Sequence, residues 1–240
     1  MGLWFLCPKK MRSPSVRKPP IYSDRREAGR RLVPLLSSFG KSGAIVFALP
    51  RGGVPVAIEI AQALSLPLDL LYVRKISGPL EPELALGAVV DGADPDIVLN
   101  DALVKRMGVS RTVLQDIGER ELLEIKRRKA RYGKALPAPL MPTGRVAIIV
   151  DDGLATGATV RAAVQALRRR GATRVVVAVP VAPPDAVAAL VAAGAEVVCP
   201  HVTDRFFGVG SFYEDFGQLS DESVVNQLTA FRVDTAAANS

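Results

Sequence analysis

The stretch Val146-Ala-Ile-Ile-Val-Asp-Asp-Gly-Leu-Ala-Thr-Gly-Ala-Thr159 decides the fold. It places five apolar residues directly before two adjacent carboxylates, Asp151 and Asp152, and then continues into small and hydroxylated residues. Burying two unpaired neighbouring carboxylates would be prohibitively costly, so the acids must lie at the solvated end of a buried strand. A short, almost uniformly apolar strand of this kind is typical of a parallel sheet that is covered by helices.

Apolar runs and amphipathic stretches alternate along the chain. Strands are predicted at residues 44–49, 68–73, 146–150, 174–179 and 196–198, and helices at residues 24–38, 54–64, 111–132, 158–170 and 184–193. Strands that alternate with helices indicate the α/β class. We therefore predict a Rossmann-like open parallel sheet of about five strands, with helices on both faces.

Proline content and charge divide the chain further. Residues 1–20 form a basic, proline-containing leader that we expect to be poorly ordered, and residues 21–220 form a single domain. Within that domain, residues 91–142 are predicted to be a helical insertion, and residues 200–220, which follow the last strand, are called the hood below. A C-terminal helix and tail are predicted at residues 221–240.

Composition excludes several classes of protein. Hydrophobic residues make up 49% of the chain and charged residues 23%, which is typical of a globular protein. Five of the positive charges lie in the leader, leaving 26 basic and 24 acidic residues elsewhere, so a nucleic-acid partner is not favoured. No segment has the roughly 20 consecutive apolar residues of a membrane span. Cys7 and Cys199 form no CxxC pair, which predicts a reducing, cytoplasmic setting without zinc.

Ligands of open parallel sheets bind outside the carboxyl ends of the strands, and two of the predicted ends carry basic sequences. Pro50-Arg51-Gly52-Gly53 follows the first strand and precedes a helix, so its amides and Arg51 are suited to bind an anion, although an ordinary tight turn would show the same pattern. Arg74 and Lys75 leave the second strand into a loop, which a solvated basic pair would also explain.

The third strand end, after Val150, is the most specific. Adjacent residues of a strand point to opposite faces, so Asp151 and Asp152 cannot contact a ligand in the same way. Gly157 and the helix that follows it provide backbone amides for a phosphate, with the hydroxyls of Thr156 and Thr159 as further donors. Acids beside a phosphate cradle suit a phosphorylated sugar, whose hydroxyls and bound divalent cation they can hold.

These residues resemble a known family. The stretch 146–159 is similar to the 5-phosphoribosyl 1-diphosphate binding signature of the type I phosphoribosyltransferases, residues 50–53 are similar to that family's pyrophosphate loop, and Arg74-Lys75 resembles the basic pair before its mobile catalytic loop. The resemblance covers about residues 22–220. The segments 48–55, 83–87 and 206–218 resemble, more narrowly, a bacterial subgroup of predicted phosphoribosyltransferases whose acceptor is not assigned.

The resemblance implies a role for each matching residue. Asp151 and Asp152 would hold the ribose hydroxyls directly or through Mg²⁺ and its waters, and Arg74 and Lys75 would neutralise the departing pyrophosphate, giving four catalytic candidates. A cis peptide bond is implied between Pro50 and Arg51. The remaining implied contacts are Ala155, Thr156, Gly157, Ala158 and Thr159 to the 5-phosphate, and Arg51, Gly52 and Gly53 to the pyrophosphate.

The implied reaction is displacement of pyrophosphate from the anomeric carbon of phosphoribosyl diphosphate by a nitrogen nucleophile. A mobile loop at residues 76–86 would close over the site to exclude water, and the family resemblance also implies a homodimer. The acceptor is a nitrogenous base or related small molecule. The 6-oxopurine enzymes carry an acid at the position of Ala155, so a 6-oxopurine is disfavoured. Phe206, Phe207 and Tyr213 of the hood are candidates to stack on the acceptor.

Two other classes of function stay open at the level of sequence. A non-catalytic regulator or sensor would bind the same sugar diphosphate and release no pyrophosphate. A plain dinucleotide-binding module would carry a GxGxxG motif after its first strand, and this sequence has none.

Overall fold

The computed structural model describes residues 20–78, 85–91, 96–99, 101–136 and 139–238. The predicted leader lies outside these residues, except for Pro20. The central sheet has five parallel strands: β1 (Ile45–Ala48), β2 (Leu68–Leu70), β6 (Val146–Val150), β7 (Arg174–Ala178) and β9 (Glu196–Val198). Their spatial order is β2-β1-β6-β7-β9. The α/β fold and all five predicted strand positions are confirmed.

Seven helices belong to the described part of the chain. They are α1 (Arg25–Leu32), α2 (Gly53–Leu64), α3 (Asp101–Met107), α4 (Arg111–Tyr132), α5 (Ala158–Arg169), α6 (Pro184–Ala192) and α7 (Asp221–Ala238). Two short strands, β8 (Val181–Ala182) and β10 (His201–Val202), pair in parallel beside the main sheet. Every described helix falls short of the length and apolar character that crossing a membrane would demand.

Alternate residues of the sheet face two separate cores. Val46, Ile148 and Val176 belong to the core beneath α1, α2, α4 and α7, whereas Ile45 and Ile149 belong to the core beneath α5 and α6. All of these side chains are at most marginally exposed, as the period of two in a strand requires when both faces are covered. Helices therefore cover both faces, and the carboxyl ends of the strands are the open edge.

The predicted helix at residues 24–38 is only partly α-helical. Asp24 caps α1 by accepting a hydrogen bond from the amide of Glu27, and the α-helix ends at Leu32. Residues 33–39 continue as a 3₁₀ helix with Pro34 in its first turn. Proline has no amide hydrogen to donate to the preceding turn, which explains why the α-helix ends here.

The segment around Arg74 and Lys75 differs from its prediction. The strand expected over residues 68–73 ends at Leu70, and β3 (Val73–Ser77) begins a three-stranded antiparallel sheet with β4 (Ala85–Val90) and β5 (Asp96–Leu99). The insertion at 91–142 is therefore not purely helical, because β5 lies within it. The predicted mobile loop at 76–86 begins and ends in β3 and β4, and its central residues 79–84 lie outside the described residues.

Candidate functional site

The predicted anion loop and the acid pair lie side by side. Strand β1 pairs with β6 so that Ala48 is opposite Val150, which makes their carboxyl ends neighbours. The peptide bond between Pro50 and Arg51 is cis, as the resemblance implies. A Cβ on Gly53 would stand 3.0 Å from the Cα of Asp151 and closer still to the carbonyl oxygen of Val150. Only glycine permits this close approach between the start of α2 and the end of β6.

The carboxylate of Asp152 fills the space that Gly52 leaves open. A Cβ at Gly52 would overlap the Oδ2 atom of Asp152, so a larger residue at this position would displace the carboxylate. Nε of Arg25 donates to Oδ2 of Asp152 at 2.8 Å. The side chains of Arg25 and Asp152 are 11% and 15% exposed. The second acid is therefore paired within the chain rather than left to solvent.

Asp151 has a different environment from Asp152. Its Oδ1 accepts a hydrogen bond from the backbone amide of Asp152 at 2.9 Å. Burial of the carboxyl, and next the neighbouring charge of Asp152, raise the pKa of Asp151 well above its ordinary value. The two acids thus differ in their hydrogen-bond partners, and both lie just beyond the last residue of β6.

The predicted phosphate cradle forms the turn into α5. Gly157 is the residue before the helix and has a φ of 68°, in the left-handed region that favours glycine. No side chain caps the first turn of α5, so its leading amide groups are available to an anion. Ala155 and Thr156 are exposed, and Ala158 and Thr159 are half-buried. These five residues form the turn and the first residues of α5, and their contact with a phosphate stays a prediction.

The two predicted pyrophosphate arginines have carboxylate partners outside the family motifs. An Nη1 of Arg51 lies 3.8 Å from Oδ1 of Asp221, the first residue of α7. Nε of Arg74 donates to Oε2 of Glu121 on α4 at 2.6 Å. Lys75 follows Arg74 in β3, and adjacent strand residues point to opposite faces, so the structure does not align the two cations toward one ligand. Their prediction as a pair leaving a strand into a loop is wrong.

Asp221, which lies near Arg51, also has partners on α4. It accepts hydrogen bonds from Arg131 Nη1 at 2.7 Å and from the hydroxyl of Tyr132, and Arg127 lies 3.8 Å away. The hydrogen bond from Tyr132, followed by the one from Arg131, lowers the pKa of Asp221. Helix α4 therefore contributes to the surroundings of both predicted pyrophosphate-binding arginines. Nothing in the sequence near residues 121 or 221 resembles a motif, so these partners were not predicted.

The three hood aromatics predicted to stack on an acceptor have different environments. Tyr213 is 4% exposed, and its hydroxyl donates to the backbone carbonyl of Asp152 at 2.6 Å. Phe206 is half-buried against Phe212, with ring centres 5.5 Å apart. Phe207 is 91% exposed. The stacking role predicted for Tyr213 is therefore wrong, because its ring is buried between Tyr22 and Phe216 and its hydroxyl holds the acid pair's backbone.

Tyr213→Phe is expected to lower the free energy of unfolding by about 1–2 kcal/mol, because the carbonyl of Asp152 loses its donor while the ring packing is kept. Chemical denaturation measures this change. Phe207→Ala is the matched control, since an exposed ring contributes within about 0.5 kcal/mol. Equal stability of both variants would mean that the Tyr213 hydroxyl does not support the strand end.

The acid pair fits a magnesium ion. Mg²⁺ prefers oxygen ligands and is usually bound by one or two carboxylates together with substrate phosphates and waters. Asp151 and Asp152 supply two carboxylates beside two loops that are predicted to bind anions. The described residues contain no group of three or more histidine, cysteine or acidic side chains able to hold a metal without further ligands. Such a donor set suits an ion that arrives with its substrate.

The fold and this edge together define an α/β protein with two glycine-containing turns and an acid pair at the carboxyl ends of neighbouring strands. The chain belongs to the phosphoribosyl transferase domain family, whose domain matches residues 27–211.

Comparison with individual proteins agrees with this assignment. The chain is 44% identical over 219 residues to a Mycobacterium tuberculosis H37Rv protein named "Putative phosphoribosyl transferase Rv0571c". The match covers 91% of this chain and 48% of that protein, so the chain spans about half the length of this curated relative. The crystal structure of TT1426 from Thermus thermophilus is similar at 40% identity with a TM-score of 0.77, covering 88% of this chain and 98% of that one.

Proposed function

We propose that this chain is a magnesium-dependent phosphoribosyltransferase that transfers phosphoribose from 5-phosphoribosyl 1-diphosphate to a nitrogenous base or related small acceptor. One observation carries the proposal: the turns that lead into α2 and α5 both adjoin the acid pair, the first by contact of Gly52 and Gly53 with Asp152 and Asp151 and the second by following Asp152 in the chain. Two glycine-containing turns beside a pair of carboxylates match a ligand that carries a phosphate, a diphosphate and hydroxyls.

In this proposal different residues bind different parts of the substrate. The amides of Gly157, Ala158 and Thr159 bind the 5-phosphate, and the acid pair binds the ribose hydroxyls. The amide of Gly52 binds the diphosphate, with Arg51 supplying positive charge once it is released from Asp221. The predicted contact of the Gly53 amide is not available, because this amide donates to the carbonyl of Leu49 at 3.0 Å. When bound, Mg²⁺ would neutralise charge on the diphosphate leaving group.

The reaction exchanges one bond for another at the anomeric carbon. The bond from this carbon to the diphosphate oxygen breaks, a bond to the acceptor nitrogen forms, and the acceptor loses a proton. Positive charge develops on the ribose in the transition state, and the neighbouring carboxylates stabilise it electrostatically. Ala155 offers no carboxylate to accept the proton of a 6-oxopurine, so we expect an acceptor of another kind.

The hood supplies one exposed aromatic surface for the acceptor. Phe207 is 91% exposed and can stack on a planar ring, whereas Phe206 and Tyr213 are occupied by internal packing. We further propose a homodimer that acts in the cytoplasm in nucleotide metabolism.

The proposal is tested by measuring pyrophosphate release from phosphoribosyl diphosphate and Mg²⁺ across purines, pyrimidines and simple amines. We expect release with at least one acceptor and weak release with hypoxanthine and guanine. Binding of phosphoribosyl diphosphate without release for any acceptor would instead favour a sensor. Absence of both binding and release would contradict the proposal.

A further inference from the structure

Arg25 joins the acid pair to the hood. Besides its hydrogen bond to Asp152, its Nη1 donates to the backbone carbonyl of Gly217 at 3.0 Å. Its guanidinium carbon lies 3.8 Å from the centre of the Phe216 ring, in cation–π geometry. The planar guanidinium thus contacts a carboxylate, a carbonyl and an aromatic face at once, which the single ammonium group of a lysine could not do with the same geometry.

The carboxylate of Asp152 lies against Gly52 and Arg25. Gly52 leaves the space that the carboxylate occupies, and Arg25 donates a hydrogen bond to its Oδ2 atom. The backbone carbonyl of Asp152 accepts a hydrogen bond from the hydroxyl of Tyr213, which belongs to the hood. The hood therefore contacts the backbone of Asp152 directly, and it is connected to the side chain of Asp152 through Arg25.

The chain next to Arg25 is also bonded to the hood. The amides of Glu214 and Asp215 donate to the carbonyls of Tyr22 and Ser23 at 2.9 Å and 2.8 Å. These bonds fix the segment before α1 along one edge of the hood, and Arg25 extends from the start of α1 across to Gly217. Residues 22–25, residues 213–217 and Asp152 thus form a continuous bonded unit.

We propose that Arg25 is a positioning residue that holds the carboxylate of Asp152 in place and couples it to the hood. Asp152, which is proposed to bind the ribose, and the hood, which is proposed to face the acceptor, then keep a fixed position relative to each other. The sugar-binding part of this inference rests on the proposed function, whereas the coupling of Arg25 to the hood does not. Arg25 acts through Asp152, and no contact with the reacting atoms is required.

Arg26 provides a matched control on the same helix. Its Nε donates to Oε1 of Glu59 at 2.5 Å, which ties α1 to α2, and its side chain is 61% exposed. Arg26→Gln therefore removes an ion pair that docks α1 without touching Asp152 or the hood. If Arg25 only docked α1, Arg25→Gln would leave the hood amides and ligand binding as unaffected as Arg26→Gln does.

The first measurement is hydrogen exchange at the amides of Glu214 and Asp215, which needs no ligand. We expect exchange about tenfold faster in Arg25→Gln, the effect of losing one charge-assisted hydrogen bond, and unchanged exchange in Arg26→Gln. Arg25→Lys should exchange nearly as fast as Arg25→Gln, because it loses the bond to Gly217. Exchange in Arg25→Gln equal to that in Arg26→Gln would overturn the coupling.

The second measurement is calorimetric binding of phosphoribosyl diphosphate with Mg²⁺. We expect affinity to fall about tenfold in Arg25→Gln and about threefold in Arg25→Lys, which keeps a charge beside Asp152, with no change in Arg26→Gln. Wild-type affinity in Arg25→Gln would overturn the positioning role.

The two measurements separate this inference from the proposed function. If the unmodified chain does not bind phosphoribosyl diphosphate, the proposed function fails and hydrogen exchange alone decides the inference. Asp152→Asn is then expected to accelerate hood exchange as Arg25→Gln does, and a failure to do so would overturn it. If Arg25→Gln does not fold, Arg25→Lys decides by the same two measurements.

Discussion

Gly53→Ala is expected to destabilise the chain by about 3 kcal/mol and to abolish binding of phosphoribosyl diphosphate, because the added methyl group meets backbone rather than a movable side chain. The atoms in its way are the carbonyl oxygen of Val150 and the Cα of Asp151, so either α2 or the end of β6 must shift. Both elements carry predicted ligand contacts. Denaturant unfolding measures the first effect and calorimetry measures the second.

Gly133→Ala is the matched control for that substitution. Gly133 has a φ of −63°, and a Cβ there would meet no atom within 4 Å. The same chemical change should therefore leave both stability and binding close to those of the unmodified chain. Gly53→Ala with unaltered binding would show that the start of α2 does not need its close contact with the acid pair.

Asp152→Asn should reduce pyrophosphate release at least about 100-fold while keeping the size of the side chain. The amide cannot supply the negative charge that the proposed ribose hydroxyls and Mg²⁺ require, and hydrogen bonds to charged groups each contribute about 1.5–3 kcal/mol. Steady-state release of pyrophosphate measures the change. Glu196→Gln is the control, because Glu196 forms an exposed ion pair with Arg174 at the amino end of the sheet. Release that persists in Asp152→Asn would remove the acid from the site.

The central sheet was predictable because its strands are local signals. The apolar run before Asp151 predicted β6 with both bounds correct, since an apolar five-residue run bounded by charged residues, Arg145 and Asp151, has few alternatives. The helix at residues 111–132 was equally well defined, and one of its surface ion pairs joins Nε of Arg128 to Oε1 of Glu124 at 2.9 Å. The strand ends were chosen as the candidate site because ligands of open parallel sheets bind outside the carboxyl ends of the strands.

The antiparallel sheet was missed because tertiary contacts form it. Strand β4 contains Ala85, Gly87 and Ala88, which have weak strand preference, and it is held by packing against α5. Strand β3 packs against α4, which explains why Arg74 is paired with Glu121 rather than lying in a loop. A single sequence gives no local indication of either contact.

The charged partners of the site were missed for the same reason. Arg25 and Asp152 are 127 residues apart in sequence, and Arg25 reads as one more arginine of an amphipathic helix. Asp221 likewise reads as an acid at the start of a helix, although it lies 3.8 Å from Arg51. In each case a charge predicted to bind a ligand is instead paired within the chain, and only the fold brings the partners together.

The most direct test of the central claim is calorimetric titration of the unmodified chain with phosphoribosyl diphosphate, with and without Mg²⁺, alongside ribose 5-phosphate and a nicotinamide dinucleotide. We predict one site for phosphoribosyl diphosphate, strengthened by Mg²⁺, with weaker binding of ribose 5-phosphate and none of the dinucleotide. No binding of phosphoribosyl diphosphate, or tighter binding of the dinucleotide, would contradict the claim that this acid pair and its two flanking turns hold a phosphorylated ribose.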